Sequence, residues 1–315
     1  MRTARDWLGL PARHGQFLLL GGLAVGIALP GFAQAMRPMI VPLILIMLFF
    51  AAARVGPAGL RAGRHGLGTA LVFCLVMQMA MPLLGIAVLE AGGWLGTAFG
   101  LGLVLILAGA PITGTPGLTL LVGAQPASAL RQVIIGTALL PLTVLPVFWL
   151  VPVFPDPGAV IVAAGTLMLY IFLSGGSGIL AHRVWPGLGT SEAARAGLDS
   201  GIAITMGLIV IGLMSAVGPA LFDASGTFWM LLFGLGALNF TLQALSAFAL
   251  RGRVARHDGA GMAVSAGNRN LVLFLGVLPA ETIEPMLLLV GAFQVPMYLT
   301  PLVMRPLYRR LGMLG

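Results

Sequence analysis

Ser265-Ala266-Gly267-Asn268-Arg269-Asn270 sets one permanent charge and two amides in the middle of an otherwise apolar segment, Gly259–Ala266 before and Leu271–Leu278 after. Arg269 stands about ten residues from either end, so in a membrane-spanning helix rising ~1.5 Å per residue it would lie ~15 Å deep. An arginine stem cannot snorkel that far, so the head group needs partners inside the protein. Even the mildest insertion scales penalise an arginine at that depth by roughly 2.5–3.5 kcal/mol. A penalty of that size points to a function.

The surrounding chain supports a membrane reading. Of 315 residues, 59% are hydrophobic and 8% charged, against about 25% charged in a soluble domain. Glycine is abundant, with 45 residues, and there are 21 prolines; both are tolerated in membrane helices, where neighbours re-satisfy the freed backbone groups. The net charge of +8 comes from arginine, and lysine is absent. These arginines fall between apolar runs, where they read as orientation signals and not as a nucleic-acid surface. The single cysteine, Cys74, sits inside an apolar run and excludes a disulfide framework or a cysteine metal site. His14, His65, His182 and His257 lie beside arginines, read as loop residues, and lack metal-ligand spacing. The chain has no G-x-S-x-G, Walker loop or H-E-x-x-H, so no enzyme and no cofactor is expected.

About 20 apolar residues are needed per crossing, and ten stretches qualify: 16–33, 38–55, 67–89, 95–123, 127–153, 158–181, 197–218, 225–250, 259–279 and 281–304. Loop charge agrees with that count. Arg2, Arg5, Arg13, Arg54, Arg61, Arg64, Arg131, Arg183, Arg195, Arg251, Arg253, Arg256, Arg305, Arg309 and Arg310 fall in alternate gaps; the other gaps hold Arg37, Glu90, Asp156, Asp223, Glu281 and Glu284. The positive-inside rule then places both termini in the cytoplasm, in the inner (cell) membrane. The run Phe17–Leu29 followed by Ala33-Gln34-Ala35 also has the form of a cleavable signal peptide. A retained first span is the better reading, because its removal would break the symmetry that follows.

Five spans per half is an odd number, so a duplicated half must be inverted in the membrane. The expected organisation is all-α, with five-helix repeats over 1–153 and 154–315. Span 4 carries Gly109-Ala110-Pro111-Ile112-Thr113-Gly114-Thr115-Pro116-Gly117, which cannot sustain an unbroken helix. Its centre lies about 155 residues before the polar break of span 9, and paired interruptions of this kind point to a transport site near the midplane. Other polar residues sit within spans: Gln78, Thr137, Asn239 and Gln294 are site candidates, while Thr143, Thr241 and Ser246 read as interhelical hydrogen-bond glue. Asp199 reads as a solvated residue near a helix end.

Local motifs extend this reading. Gln78-Met79-Ala80-Met81-Pro82, Pro111-Ile112-Thr113-Gly114-Thr115, Leu238-Asn239 and Gly267-Asn268-Arg269-Asn270 resemble the Gln-Phe-Ala-Met-Pro, Pro-Gly-Gly-Thr, His-Asn and Gly-Met-Gln-Asn segments of the bile acid:sodium symporter family, over nearly the whole chain. The resemblance implies broken, crossing spans 4 and 9, a panel of spans 1, 2, 6 and 7, and a core of spans 3–5 and 8–10. It also implies sodium ligands from span 3, span 4, span 5 and span 9. Gln78 and Asn270 match, and Thr137 can supply a hydroxyl. The family's Ser-Asn pair falls on Pro116 and Gly117, its Glu on Ser265 and its Gln on Arg269. A site that has lost its carboxylate and several oxygens holds Na⁺ poorly.

The expectation is therefore a secondary transporter of small organic anions, working by alternating access in the lipid bilayer with weak or no sodium coupling. Gln78, Thr113, Thr115, Thr137, Asn239, Ser265, Asn268, Arg269, Asn270 and Gln294 form the expected substrate or ion site, and half-helix N-termini add positive potential. Arg269 is expected to meet Gln78, Thr113, Thr115 and exposed carbonyls. It stands in the place of a sodium ion, or it ties the two broken helices together, and the two roles are compatible. The alternative is a non-transporting sensor or assembly protein that keeps the transporter fold.

Overall fold

A computed structural model of the chain describes residues 9–62, 66–223 and 226–314. Arg2, Arg5, Arg64 and His65 lie outside the described residues, as do the side chains of Arg13, Arg61 and His257. The main helices, in chain order, are α1 (Gly15–Ala28), α2 (Pro30–Met36), α3 (Ile40–Ala62), α4 (Leu67–Leu75), α5 (Met81–Ala91), α6 (Ala98–Ala108), α7 (Thr115–Val122), α8 (Ala127–Thr143), α9 (Leu145–Leu150), α10 (Pro157–Val184), α11 (Glu192–Phe222), α12 (Gly226–Leu250), α13 (Arg256–Gly267) and α14 (Ala280–Arg310). Two short strands, β1 (Ala110–Pro111) and β2 (Arg269–Asn270), pair with each other. Among the described residues, six helical runs are long and apolar enough to cross a membrane, and three shorter ones, Phe17–Ala28, Ala98–Ala108 and Ala127–Thr143, are also apolar. The protein is thus an all-α, membrane-embedded chain.

The chain divides into two compact units. The first takes Met1–His65 and Thr166–Ser225, and the second Gly66–Gly165 and Gly226–Gly315, so the boundary falls inside α10.

In the first unit α11 packs on α1, α2 and α3. Glycines make these approaches possible. A Cβ on Gly26 would lie 2.6 Å from Met214 Cβ and 2.8 Å from the Ile211 carbonyl, and one on Gly22 would lie 2.7 Å from the Gly207 carbonyl. Without a hydrophobic drive between helices in lipid, such close backbone packing is a main source of association.

Several expectations are corrected here. The turn between the first two spans comes at Leu29–Pro30 and not at 34–37. Leu29 leaves the helical region (φ −123°, ψ 71°) before a proline that opens α2, since a following proline disfavours the α conformation. Arg37 therefore lies within the continuous run Pro30–Gly56, and its Nε donates to Ser215 Oγ at 2.7 Å. His182 is a helical residue of α10 and not a loop residue; its Nδ1 donates to the Ala53 carbonyl at 2.7 Å. Its ring fills the space beside Gly56, where α3 kinks at φ 60°. Asp199, by contrast, is half-exposed in keeping with the solvated reading, and it pairs with Arg54 Nε at 2.8 Å, a geometry worth little in solvent.

In the second unit α12 packs against α13 and α14, α8 against α13 and α4, and α14 also against α6 and α7. Three of the expected stretches in this unit are broken, two of them as the sequence leads one to expect. The α6–α7 and α13 breaks fall where proline, glycine and Arg269 foretell them. The stretch 127–153 is further divided at Val144, between Pro141 and Pro146. The stretch 67–89 keeps running but contains a π-turn at Val76–Ala80, where the Met81 N–H reaches back to the Val76 carbonyl.

Gly26→Leu is expected to lower thermal stability in detergent by about 1–3 kcal/mol through overpacking against α11. Gly21→Ala, on the same helix with nothing within 4 Å of a Cβ, serves as the neutral control. Equal melting temperatures for the two variants would contradict this packing.

Candidate functional site

The two broken stretches meet at their breaks. Helix α6 ends at Ala108, and Ala110 and Pro111 run antiparallel to Asn270 and Arg269, in the register Ala110↔Asn270 and Pro111↔Arg269. The Ile112 N–H extends the pairing to the Asn268 carbonyl at 3.0 Å. Extended backbone at this depth is tolerated only when surrounded by protein, and every residue from Gly259 to Leu275 is buried. Two glycines let the elements close in. A Cβ on Gly109 would lie 3.1 Å from the Asn270 carbonyl, and one on Gly267 would lie 2.6 Å from Gln243 Cγ.

Arg269 is 2% exposed. Its Nε donates to the Ala266 carbonyl at 2.8 Å and its Nη1 to the Gly109 carbonyl at 3.0 Å. Both acceptors stand at the C-terminal ends of helices, α13 and α6, where terminal carbonyls lack intrahelical donors. Each such end carries roughly half a negative charge, so two of them balance about one guanidinium. The third donor group, Nη2, has no partner. Of the partners expected for Arg269, the carbonyls are present, and no hydrogen bond joins it to Gln78, Thr113 or Thr115. Thr115 Oγ1 donates instead to the Ile112 carbonyl at 2.7 Å and closes the turn that starts α7.

Gln78 does reach the crossing. It lies in the π-turn, is fully buried, and donates from Nε2 to the Gly136 carbonyl of α8 at 3.1 Å, while its Oε1 is without a partner. A Cβ on Gly136 would meet Pro111 Cδ at 2.8 Å and Gln78 Nε2 at 3.1 Å, so Gln78, α8 and β1 converge there. One turn earlier Cys74 Sγ contacts Gln132 Oε1 at 2.9 Å. Thr137 is buried on α8 beside Gly136.

A second group of polar residues packs behind β2. Asn239 Nδ2 donates to the Gly267 carbonyl at 2.6 Å, Gln243 Nε2 to Asn239 Oδ1 at 2.6 Å, and the same Nε2 contacts Thr300 Oγ1 at 3.0 Å. Thr300 Oγ1 donates to Asn268 Oδ1 at 3.2 Å, and Asn268 Nδ2 to the Val264 carbonyl at 2.7 Å. Tyr308 completes the chain by donating to Gln243 Oε1 at 2.9 Å. Asn239 and Asn268 are thus brought together, and Asn270 is placed in β2. Gln243, Thr300 and Tyr308 belong to the same network and are absent from the sequence-based candidates. The i, i+4 spacing of Asn239 and Gln243 was the signal available; Tyr308, among Arg305, Arg309 and Arg310, reads in the sequence as an interfacial residue.

The remaining candidates do not join. Ser265 Oγ donates to the Gly261 carbonyl of its own helix at 2.8 Å. Gln294 bonds within α14, to the Val290 carbonyl and from Tyr298 Oη. Thr113 sits in the turn before α7, partly exposed. Pro116 is in the first turn of α7, and Gly117 is exposed with nothing within 4 Å of a Cβ. The glue residues are corrected too: Thr143 bonds only to carbonyls of its own helix, and Ser246 Oγ is buried with no partner. Among the described residues no three or more His, Cys, Asp or Glu side chains gather as metal ligands.

No protein-family model matches this chain, and no characterised protein matches it.

Tyr308→Phe should lower thermal stability in detergent by about 1 kcal/mol, within the range measured for interhelical hydrogen bonds in membranes. Asn239→Ala should lower it further, because it also strips the Gly267 carbonyl of its partner. If the two substitutions combine with full additivity, the network is not a connected unit.

Proposed function

We propose that the chain is a secondary transporter of small organic anions working by alternating access. The observation that carries the reading is Arg269: a fully buried guanidinium at the pairing of two helix breaks, with Nη2 unpartnered. A carboxylate or sulfonate is the natural complement of such a donor. Gln78 Oε1, another unpartnered buried atom, adds an acceptor on the neighbouring helix for a hydroxyl or protonated group. The reading includes ten crossings in two inverted five-helix repeats, 1–153 and 154–315, with both termini in the cytoplasm. Two compact units interleaved in sequence, one holding the segments of spans 1, 2 and 7 with most of span 6, suit a rocking mechanism.

Sodium coupling is weak or absent in this proposal. A hard cation needs several free oxygens. The Gly109 and Ala266 carbonyls already accept from Arg269, and the Ser265 hydroxyl bonds its own helix. The bilayer and a small organic acid are the partners; no cofactor is needed.

One observation favours a second reading. The same two bonds tie α6 to α13 across the crossing, which would suit a membrane sensor or assembly protein that keeps the transporter fold without moving a substrate.

A thermal-shift screen of organic acids, run with and without Na⁺, supplies a candidate substrate for uptake into vesicles of the reconstituted chain. Replacing Na⁺ by choline is expected to leave uptake unchanged, and a collapse on sodium removal would overturn the coupling proposal. Arg269→Gln should reduce uptake by about 10- to 100-fold, the worth of a hydrogen bond to a charged group. If no acid raises the melting temperature, the non-transporting reading takes its place.

A further inference from the structure

Away from the crossing, the second unit carries an apolar groove of about 490 Å³ between the α4–π-turn–α5 run and α12, within the size range of small-ligand sites. Gly68 and Leu250 form one end, Met81 and Leu242 the other, with Val72 and Leu245 between them. Three observations say what belongs there. Two arginines stand beside residues next to or within the end formed by Gly68 and Leu250. The Arg131 guanidinium rests on Gly66, where a Cβ would meet Nη1 at 2.9 Å, and its Nε is buried without a partner. Arg253 Nη1 lies 2.6 Å from the carbonyl of Ala249, itself a wall residue. Among the described residues neither arginine forms an ion pair. Finally, Ser246, in the wall one turn before Leu250, is 2% exposed and its hydroxyl has no partner.

We propose that this groove holds an acyl chain of an anionic phospholipid, with the phosphate at Arg131 and Arg253 and the ester carbonyl accepting from Ser246. The positions follow a lipid's own layout. The charged group comes first, a hydrogen-bonding group lies ~6 Å deeper along four residues of helix, and only apolar side chains lie beyond. A zwitterionic lipid fits the apolar wall equally well and also brings a phosphate, but its cationic head then stands beside two guanidinium groups, a like-charge repulsion that an anionic lipid lacks. The inference does not rest on the transport reading and holds whether or not the chain moves a substrate.

Native mass spectrometry of the full chain, purified from vesicles of equal phosphatidylglycerol and phosphatidylcholine, tests it. Phosphatidylglycerol should be retained in preference, and each of Arg131→Gln and Arg253→Gln should lower its retention about fivefold. Val76→Trp, at a position 41% exposed, should block retention of both lipids while leaving the melting temperature of the lipid-free protein unchanged. Equal retention of the two lipids would overturn the proposal, and so would phosphatidylglycerol retention that survives the double arginine exchange in a protein of unchanged melting temperature. Laurate displacing phosphatidylglycerol at equal concentration would also overturn it, by making the occupant a soluble amphiphile.

Discussion

Two helix C-termini facing each other inside a membrane protein, with one guanidinium between them, are the constraint on which the second unit depends. Breaking α6 and α13 leaves carbonyls without intrahelical donors, and in lipid each unsatisfied group costs several kcal/mol. A buried arginine alone is also unfavourable. Together they cancel: Arg269 donates to the Gly109 and Ala266 carbonyls, one from each break. Neither feature is stable without the other, which is why the charge and the breaks occur together. The glycines at 109 and 267 follow from the same requirement, since a side chain there would press on the backbone of Asn270 or Asn239, and Gly136 leaves room for Pro111 and Gln78.

The two units are held together internally by different means. The first relies on close backbone approach at glycine, with α11 as the common surface. The second uses a polar chain, Asn239–Gln243–Thr300–Asn268, ending at Tyr308. Hydrogen-bonded chains specify geometry more sharply than apolar contacts, because a displaced member leaves a buried polar atom unpaired. Asn239 acts on the crossing directly, by fixing the Gly267 carbonyl that precedes Asn268 and Arg269.

Features set by local chemistry were legible in the sequence. Prolines and glycines in 109–117 gave the break in span 4, and the depth of Arg269 gave its need for internal partners. The partners themselves were only half legible. Carbonyls could be anticipated because any break exposes them, whereas Gln78, Thr113 and Thr115 were expected from proximity in the motifs, and Gln78 and Thr115 bond backbone elsewhere. The turn at Leu29–Pro30 was hidden because hydropathy runs unbroken through it and the proline reads equally as a kink. Thr300 and Tyr308 were hidden because a lone hydroxyl in an apolar helix says nothing about which distant amide it faces. The π-turn at Val76–Ala80 leaves no compositional mark, since it is a matter of one residue's hydrogen-bond register.

That π-turn sets the phase of everything after it. Val72, Val76, Ala80, Leu84 and Val88 are all exposed, four residues apart. In an unbroken α-helix, four such steps would wind this line around the axis by about 160°. One residue absorbed into a wider turn takes back about 100°. The drift of the line is thus cut to about 60°, and α5 stays closer to the side that α4 presents. A length change of a single residue here would turn the whole of α5 out of its place while leaving the hydropathy of the span as it was.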